Sequence, residues 1–182
     1  MELEETRLES EYLYRGRILN LRKDTVRLPD EKTALREIIE HPGGVGIVAM
    51  DDRKRIYLVA QYRCPYEEIT LEIPAGKRDG KDEDPLVCGK RELKEEIGAT
   101  AKKWTSLGRL YPSPGYVDEV IHLYLATELN FGETDFDEDE FLTTKAVDFD
   151  EAVHMVMQNE LPDSKTQVAI LKVWNMMKEG SL

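Results

Sequence analysis

The stretch DPLVCGKRELKEEIG, residues 84–98, constrains the fold of this chain more than any other segment. Pro85 suits the first position of a helix, where its missing N–H costs little. Gly98 suits the position after the last turn, where a left-handed backbone closes a helix. Between them Leu86, Leu93 and Ile97 fall on one face and can pack against a core. The spacing therefore predicts a helix over about Asp84 to Ile97. On it Glu92, Glu95 and Glu96 stand at i, i+3 and i+4, so three carboxylates leave one side of a rigid support.

Like charges at these spacings repel by roughly 0.2–0.5 kcal/mol per pair on an exposed helix. Two readings are open. Lys90, Arg91 and Lys94 balance the glutamates on a solvated face, or a divalent cation gathers them. An oxygen donor set favours Mg2+ or Mn2+ over zinc.

The surrounding pattern alternates strands with this helix. Upstream, YLYRGRILNLRKDTVRL and TALREIIEH, separated by the turn-like Pro29 to Lys32, predict a peripheral antiparallel arm. VGIVAMDDRKRIYLVAQYR carries two apolar runs about a polar turn at Asp51 to Lys54, the pattern of a mostly buried hairpin. ITLEIPAGK predicts a short strand entering a bend, and WTSLGRL and YVDEVIHLYLATEL predict strands on either side of a proline-rich loop. FLTTKAVDF is expected as the last strand. Two amphipathic helices follow, one after Asp150 with Val153, Val156 and Met157, the other from Asp163 or Ser164 through Trp174 and Met177. Ser164 with Gln167 forms a candidate capping box.

The 182 residues suffice for one substantial core, and they contain no internal repeat. A net charge of -12 argues against a partner such as a long nucleic acid, whose binders carry basic patches. An anionic small-molecule substrate would then need clustered arginines or bound cations to reverse the local field. The acidic MELEETRLESEY lacks the apolar core of a signal peptide, and no apolar run approaches the roughly 20 residues that span a bilayer. No membrane partner and a cytoplasmic location are expected. Cys64 and Cys88 show neither disulfide nor zinc spacing.

Taken together, PAG at 74–76, Glu83 and RELKEEIGA at 91–99 resemble the Nudix box, G-x5-E-x7-R-E-U-x-E-E-x-G-U with U aliphatic. Seven residues lead from Glu83 to Arg91, and Glu92, Leu93, Glu95, Glu96 and Gly98 fall in register. One departure is that six residues, not five, separate Gly76 from Glu83. The resemblance implies an α/β fold, the Nudix α/β/α sandwich with mixed sheet, over residues 41–182. It implies a dimerising β arm over residues 1–40 and a homodimer.

As metal ligands it implies Glu92, Glu96, the carbonyl of Ala75, and Glu95. The catalytic groups it implies are Glu140, Glu95 and Arg91, with Arg91 orienting carboxylates by ion pairing. Glu138 and Asp139 compete with Glu140 for the loop carboxylate that assists water, and a solvated acidic loop is the alternative.

The segments REIIEHPGGVGIVAM, LVAQYR and YPSPGYVDEVIHLYLA resemble ADP-ribose pyrophosphatases in particular. Pro114, sixteen residues beyond Gly98, stands near that subfamily's proline, although alone it marks only a turn. Arg36, Arg63, Gly76 and Pro114 are the substrate-binding candidates on this resemblance. Either arginine could instead be a strand-edge ion pair. Tyr12 and Tyr14 are candidates to stack on adenine.

The implied activity is Mg2+-dependent hydrolysis of the pyrophosphate bond of ADP-ribose or a related nucleoside diphosphate derivative, with Mn2+ as a substitute. The alternatives are another diphosphate substrate, such as a nucleotide sugar, a dinucleoside polyphosphate or FAD, and a Nudix domain that binds nucleotides without cleaving them.

Overall fold

Three strands at the start of the chain stand apart from its core. In the computed structural model, which describes residues 3–132 and 141–182, β1 (Thr6–Arg15), β2 (Asn20–Arg27) and β3 (Thr33–Glu40) form an antiparallel sheet in that order. The first alternating segment is thus two strands, divided by a turn in which Gly16 N–H donates to the Leu19 carbonyl at 2.9 Å. Every residue of β1 is exposed. The end of β3 is tied to the rest of the molecule. Ile39 N–H donates to Tyr116 O at 2.7 Å, and Asp118 N–H donates to Ile39 O at 3.0 Å.

The expected hairpin over residues 45–63 does not form. β4 (Gly44–Ala49) and β5 (Arg55–Arg63) meet only at an isolated bridge between Met50 and Ile56, and then enter different sheets. The turn needs no ladder to close it. The Asp51 carboxylate accepts the Arg53 and Arg55 N–H groups, both at 2.9 Å, and the Arg55 guanidinium as well. All six residues of β4 are buried, which suits the middle of a sheet covered on both faces.

After β6 (Glu68–Glu72) and β7 (Ala75–Lys77) comes α1 (Pro85–Ile97), followed by β8 (Ala99–Leu110), β9 (Ile121–Phe131), β10 (Thr143–Asp148), α2 (Phe149–Met157) and α3 (Ser164–Lys178). The central sheet has the order β7-β4-β9-β8 and is mixed, with β4 parallel to β9 and its other pairs antiparallel. β5 lies between β10 and β6 in a second sheet.

Alternation along β4 builds the layers. Val45, Ile47 and Ala49 pack with Cys88, Leu93 and Ile97 of α1. Val48 and Met50 pack with Phe149 and Val156 of α2 and with Ala169, Ile170 and Val173 of α3. The result is the expected α/β/α sandwich.

α1 ends where the sequence places it. Asp84 accepts the Leu86 and Val87 N–H groups at 2.8 and 3.1 Å, and Gly98 closes the helix at φ 63°. α3 begins at Ser164, within the expected range, but its capping differs. Its cap is Asp163, which accepts Thr166 N–H at 2.9 Å, while the Gln167 amide turns to the Leu161 carbonyl at 2.8 Å, so Ser164 and Gln167 form no capping box. α2 starts at Phe149 behind Asp148, two residues earlier than read, and leaves Met157 exposed. Among the described residues no helix is long and apolar enough to cross a membrane. Glu138, Asp139 and Glu140 lie outside the described residues.

Candidate active site

α1 delivers its carboxylates to a strand bend. Leu93 and Ile97 anchor one face of the helix in the core, and Glu92 and Glu96 sink against β7, with 8 % and 4 % exposure. Ala75 N–H donates to Glu96 Oε2 at 2.9 Å. Gly76 meets Glu92 so closely that a Cβ at position 76 would lie 1.8 Å from the Glu92 carboxyl carbon. Only glycine admits that approach.

Arg91 organises the acids around it. Its Nη1 donates to Glu92 Oε1 at 2.7 Å and to Glu95 Oε2 at 3.1 Å, and its Nη2 lies 3.6 Å from Glu83 Oε1. Burial works against its charge, but Glu92 and Glu95 outweigh it and raise its pKa, so Arg91 stays a cation. Burial also pushes the Cys88 thiol up to about 12, with the charges of Glu92 and Glu83 adding to the effect. That thiol is neutral and takes no part as a nucleophile.

The donors suit a hard divalent cation. Two buried carboxylates on adjacent turns gain from a positive charge between them, all the side-chain donors are oxygen, and the Gly76 cradle holds Glu92 in place. Among the described residues no three Asp, Glu, His or Cys side chains gather as a metal-holding group. Glu92, Glu96 and Ala75 would hold such an ion, with Glu95 on the outer side.

A cleft of about 580 Å3 runs past Ala75 and Gly76. Arg63, Thr70, Glu72, Asp163 and Lys165 line another part of its wall, and His41 and Glu119 also face it. Glu72, 5 % exposed, accepts Arg63 Nε and Nη2, each at 2.7 Å, and the Thr70 hydroxyl at 2.6 Å. Lys165 donates to its other oxygen. Burial alone would raise the Glu72 pKa, but Arg63, Lys165 and Thr70 hold it down at about 2.

The sequence candidates thus divide. Ala75, Gly76, Arg91, Glu92, Glu95 and Glu96 come together, and of these Ala75 and Gly76 share the cleft lining with Arg63. Arg36 does not: it is bonded to Glu5 and lies outside the cleft lining. Pro114 sits in an exposed turn, and Pro112 lines the cleft instead. Tyr12 lies under the Arg15 guanidinium, 3.7 Å from ring centroid to carbon, and neither it nor Tyr14 lines the cleft. The sequence reading missed Glu72 and Lys165. The available signal was Glu72 itself, a charge between Leu71 and Ile73 in an apolar strand.

Residues 40–168 match the NUDIX domain family. This chain belongs to the Nudix family. Residues 5–39 match a second family, described as the nucleoside diphosphate sugar hydrolase N-terminal domain. The chain is 42% identical over 170 residues to the ADP-ribose pyrophosphatase of Bacillus subtilis (strain 168), covering 92% of this chain and 91% of that protein. It is 41% identical over 169 residues to a methanol dehydrogenase activator of Bacillus methanolicus, again covering 92% and 91%. The solved structure of an ADP compounds hydrolase superposes over 100% of both chains with a TM-score of 0.86 at 22% identity, a likeness of fold.

Nudix hydrolases generally need divalent metal ions, which accords with the acids gathered here. The longer Nudix loop of this chain folds around Arg78. Its Nε donates to Glu83 O at 2.9 Å, its Nη2 to the carbonyls of Lys81 and Glu83, and Asp79 N–H donates to Glu83 Oε2 at 2.7 Å. The extra residue is absorbed in this closed loop, and Glu83 still reaches Arg91.

Proposed function

We propose that this Nudix hydrolase cleaves the pyrophosphate bond of ADP-ribose, giving AMP and ribose 5-phosphate, with Mg2+ as its usual ion and Mn2+ as a substitute. The observation that carries the reading is the meeting, in one cleft, of the Ala75–Gly76 bend that backs Glu92 and Glu96 with a half-buried arginine, Arg63. The likeness to the Bacillus subtilis enzyme over nearly the whole chain supports the substrate.

Glu92, Glu96 and the Ala75 carbonyl hold the cation, with Glu95 beside them. Once bound, it lowers the pKa of a water and offsets charge on the diphosphate. Arg91 orients the carboxylates by ion pairing. Arg63 grips a phosphate through guanidinium N–H groups. Glu140, with Glu138 and Asp139 as neighbours, is assigned the task of orienting the attacking water.

The test is hydrolysis of ADP-ribose with Mg2+ by wild type and Glu96→Gln. The amide keeps the shape and loses the charge, and we expect kcat/KM to fall by about 100-fold. A rate equal to wild type would remove Glu96 from the metal site. The match of residues 5–39 favours a second reading, a broader action on nucleoside diphosphate sugars. Assaying GDP-mannose and UDP-glucose beside ADP-ribose separates the two.

The arm is assigned to a homodimer. Leu8, Leu13, Tyr14, Ile18 and Leu35 are exposed on it, an apolar surface that a second copy would cover. Light scattering should give twice 21.0 kDa, and a mass of 21.0 kDa at micromolar concentration would refute the dimer. Crossed arms would also give Arg36, Tyr12 and Tyr14 a cleft to serve. The free thiols of Cys64 and Cys88 accord with a reducing compartment, and we place the enzyme in the cytoplasm.

A further inference from the structure

The start of α3 is fastened to the same strand end that carries the cleft wall. Thr166 Oγ1 accepts Ile73 N–H at 2.9 Å and donates to Asp163, the helix cap. Beside it Lys165, 9 % exposed, lies between Glu72 Oε2 and Asp163 Oδ1, the latter at 3.0 Å. A lysine buried to this degree needs a reason, because its ammonium gives up its hydration. Two carboxylates compensate it, and one of them holds Arg63.

The grip on Arg63 has a direction. Glu72 takes Nε and Nη2 side by side, and Nη1 has no hydrogen-bond partner among the described residues. A guanidinium clasped along one edge cannot rotate about its last bonds, so the remaining N–H groups keep one orientation at the cleft. That orientation is only as fixed as the carboxylate. Thr70 steadies one Glu72 oxygen at 2.6 Å, and Lys165 steadies the other.

We propose that Lys165 is a positioning residue for substrate binding: by holding Glu72 it fixes Arg63 in the orientation that receives a phosphate of the nucleoside diphosphate substrate. The proposal rests on the reading of the cleft as a diphosphate site. It gives the amino-terminal end of α3, which lies outside the box, a share in substrate affinity. Lys165 touches no reacting atom. Its loss should weaken ground state and transition state equally, which raises KM and leaves kcat in place.

The experiment compares wild type, Lys165→Met, Lys165→Arg and the double variant Glu72→Gln with Lys165→Met, which removes the pair together and leaves no lone buried charge from it. With ADP-ribose and Mg2+, Lys165→Met and the double variant should raise KM about tenfold with kcat within about twofold of wild type, and Lys165→Arg should recover most of the loss. A KM equal to wild type in both, or a fall in kcat at constant KM, overturns the proposal. Calorimetric titration of each protein with ADP in EDTA buffer separates this outcome from failure of the catalytic reading. A wild type inactive on ADP-ribose sinks that reading. The ADP affinity still decides on Lys165, supporting it if about tenfold weaker in both Met variants and refuting it if unchanged.

Discussion

Gly76 is specified by a distance and not by its backbone angles, since it is absent from the glycines with positive φ. A methyl there would stand 1.8 Å from the Glu92 carboxyl carbon and 2.1 Å from each of its oxygens. The clash falls on the end of a flexible side chain, so the fold can survive it while the carboxylate cannot keep its place. Gly76→Ala should therefore lower kcat/KM for ADP-ribose by about 100-fold, the scale of a displacement near 1 Å in a catalytic group, with little change in melting temperature. An alanine variant with wild-type kcat/KM would separate Glu92 from the chemistry. The same contact explains why a glycine closes the PAG bend. The helix carboxylate, not the turn, demands it.

At the scale of elements, local patterns were legible and the partnerships between them were not. α1 could be read to its last residue because a capping Asp84, Pro85 and Gly98 each have their own backbone reason for standing there. The three carboxylates followed from helical spacing, and their chemistry from the box. β4 and β5 were misread because two apolar runs about a polar turn describe a hairpin and a strand exchange equally well; only long-range pairing of β4 with β9 and of β5 with β10 decides. The α3 cap was missed by one residue because Asp163 and Ser164 are both capping types. Glu72 and Lys165 lie 93 positions apart, beyond any local period, so their pairing became visible only with the fold. Arg36 looked like Arg63 in sequence, and its place beside Glu5 is a matter of the arm's own sheet.

Across the whole molecule, a net charge of -12 and buried acids make low pH the direction of weakness. Glu72 is held at about 2 against an ordinary 4.5, so the folded protein keeps its carboxylate ionised where the unfolded chain would protonate. The stability this supplies, on the order of 3 kcal/mol, is complete above pH 4.5 and is lost as pH falls towards 2. Asp51 and Asp118 are also lowered, against their burial, by hydrogen bonds from Arg55 and from Lys81 and His41, and they act in the same sense. His122 adds an earlier loss. Burial, with Arg78 and Arg109 nearby, lowers its pKa from 6.5, so the unfolded chain takes up a proton first as pH drops through that value.

Urea unfolding followed by circular dichroism should thus show a midpoint that is flat from pH 8 to 7, declines gently below 6.5 and falls steeply below 4.5. Glu72→Gln isolates the largest share. Its midpoint should lie below wild type at pH 7, and the two curves should converge as pH approaches 2, because protonation then removes from wild type what the substitution has already removed. Parallel curves over that whole range would show that the ion cluster joining α3 to the cleft wall does not couple the fold to acid.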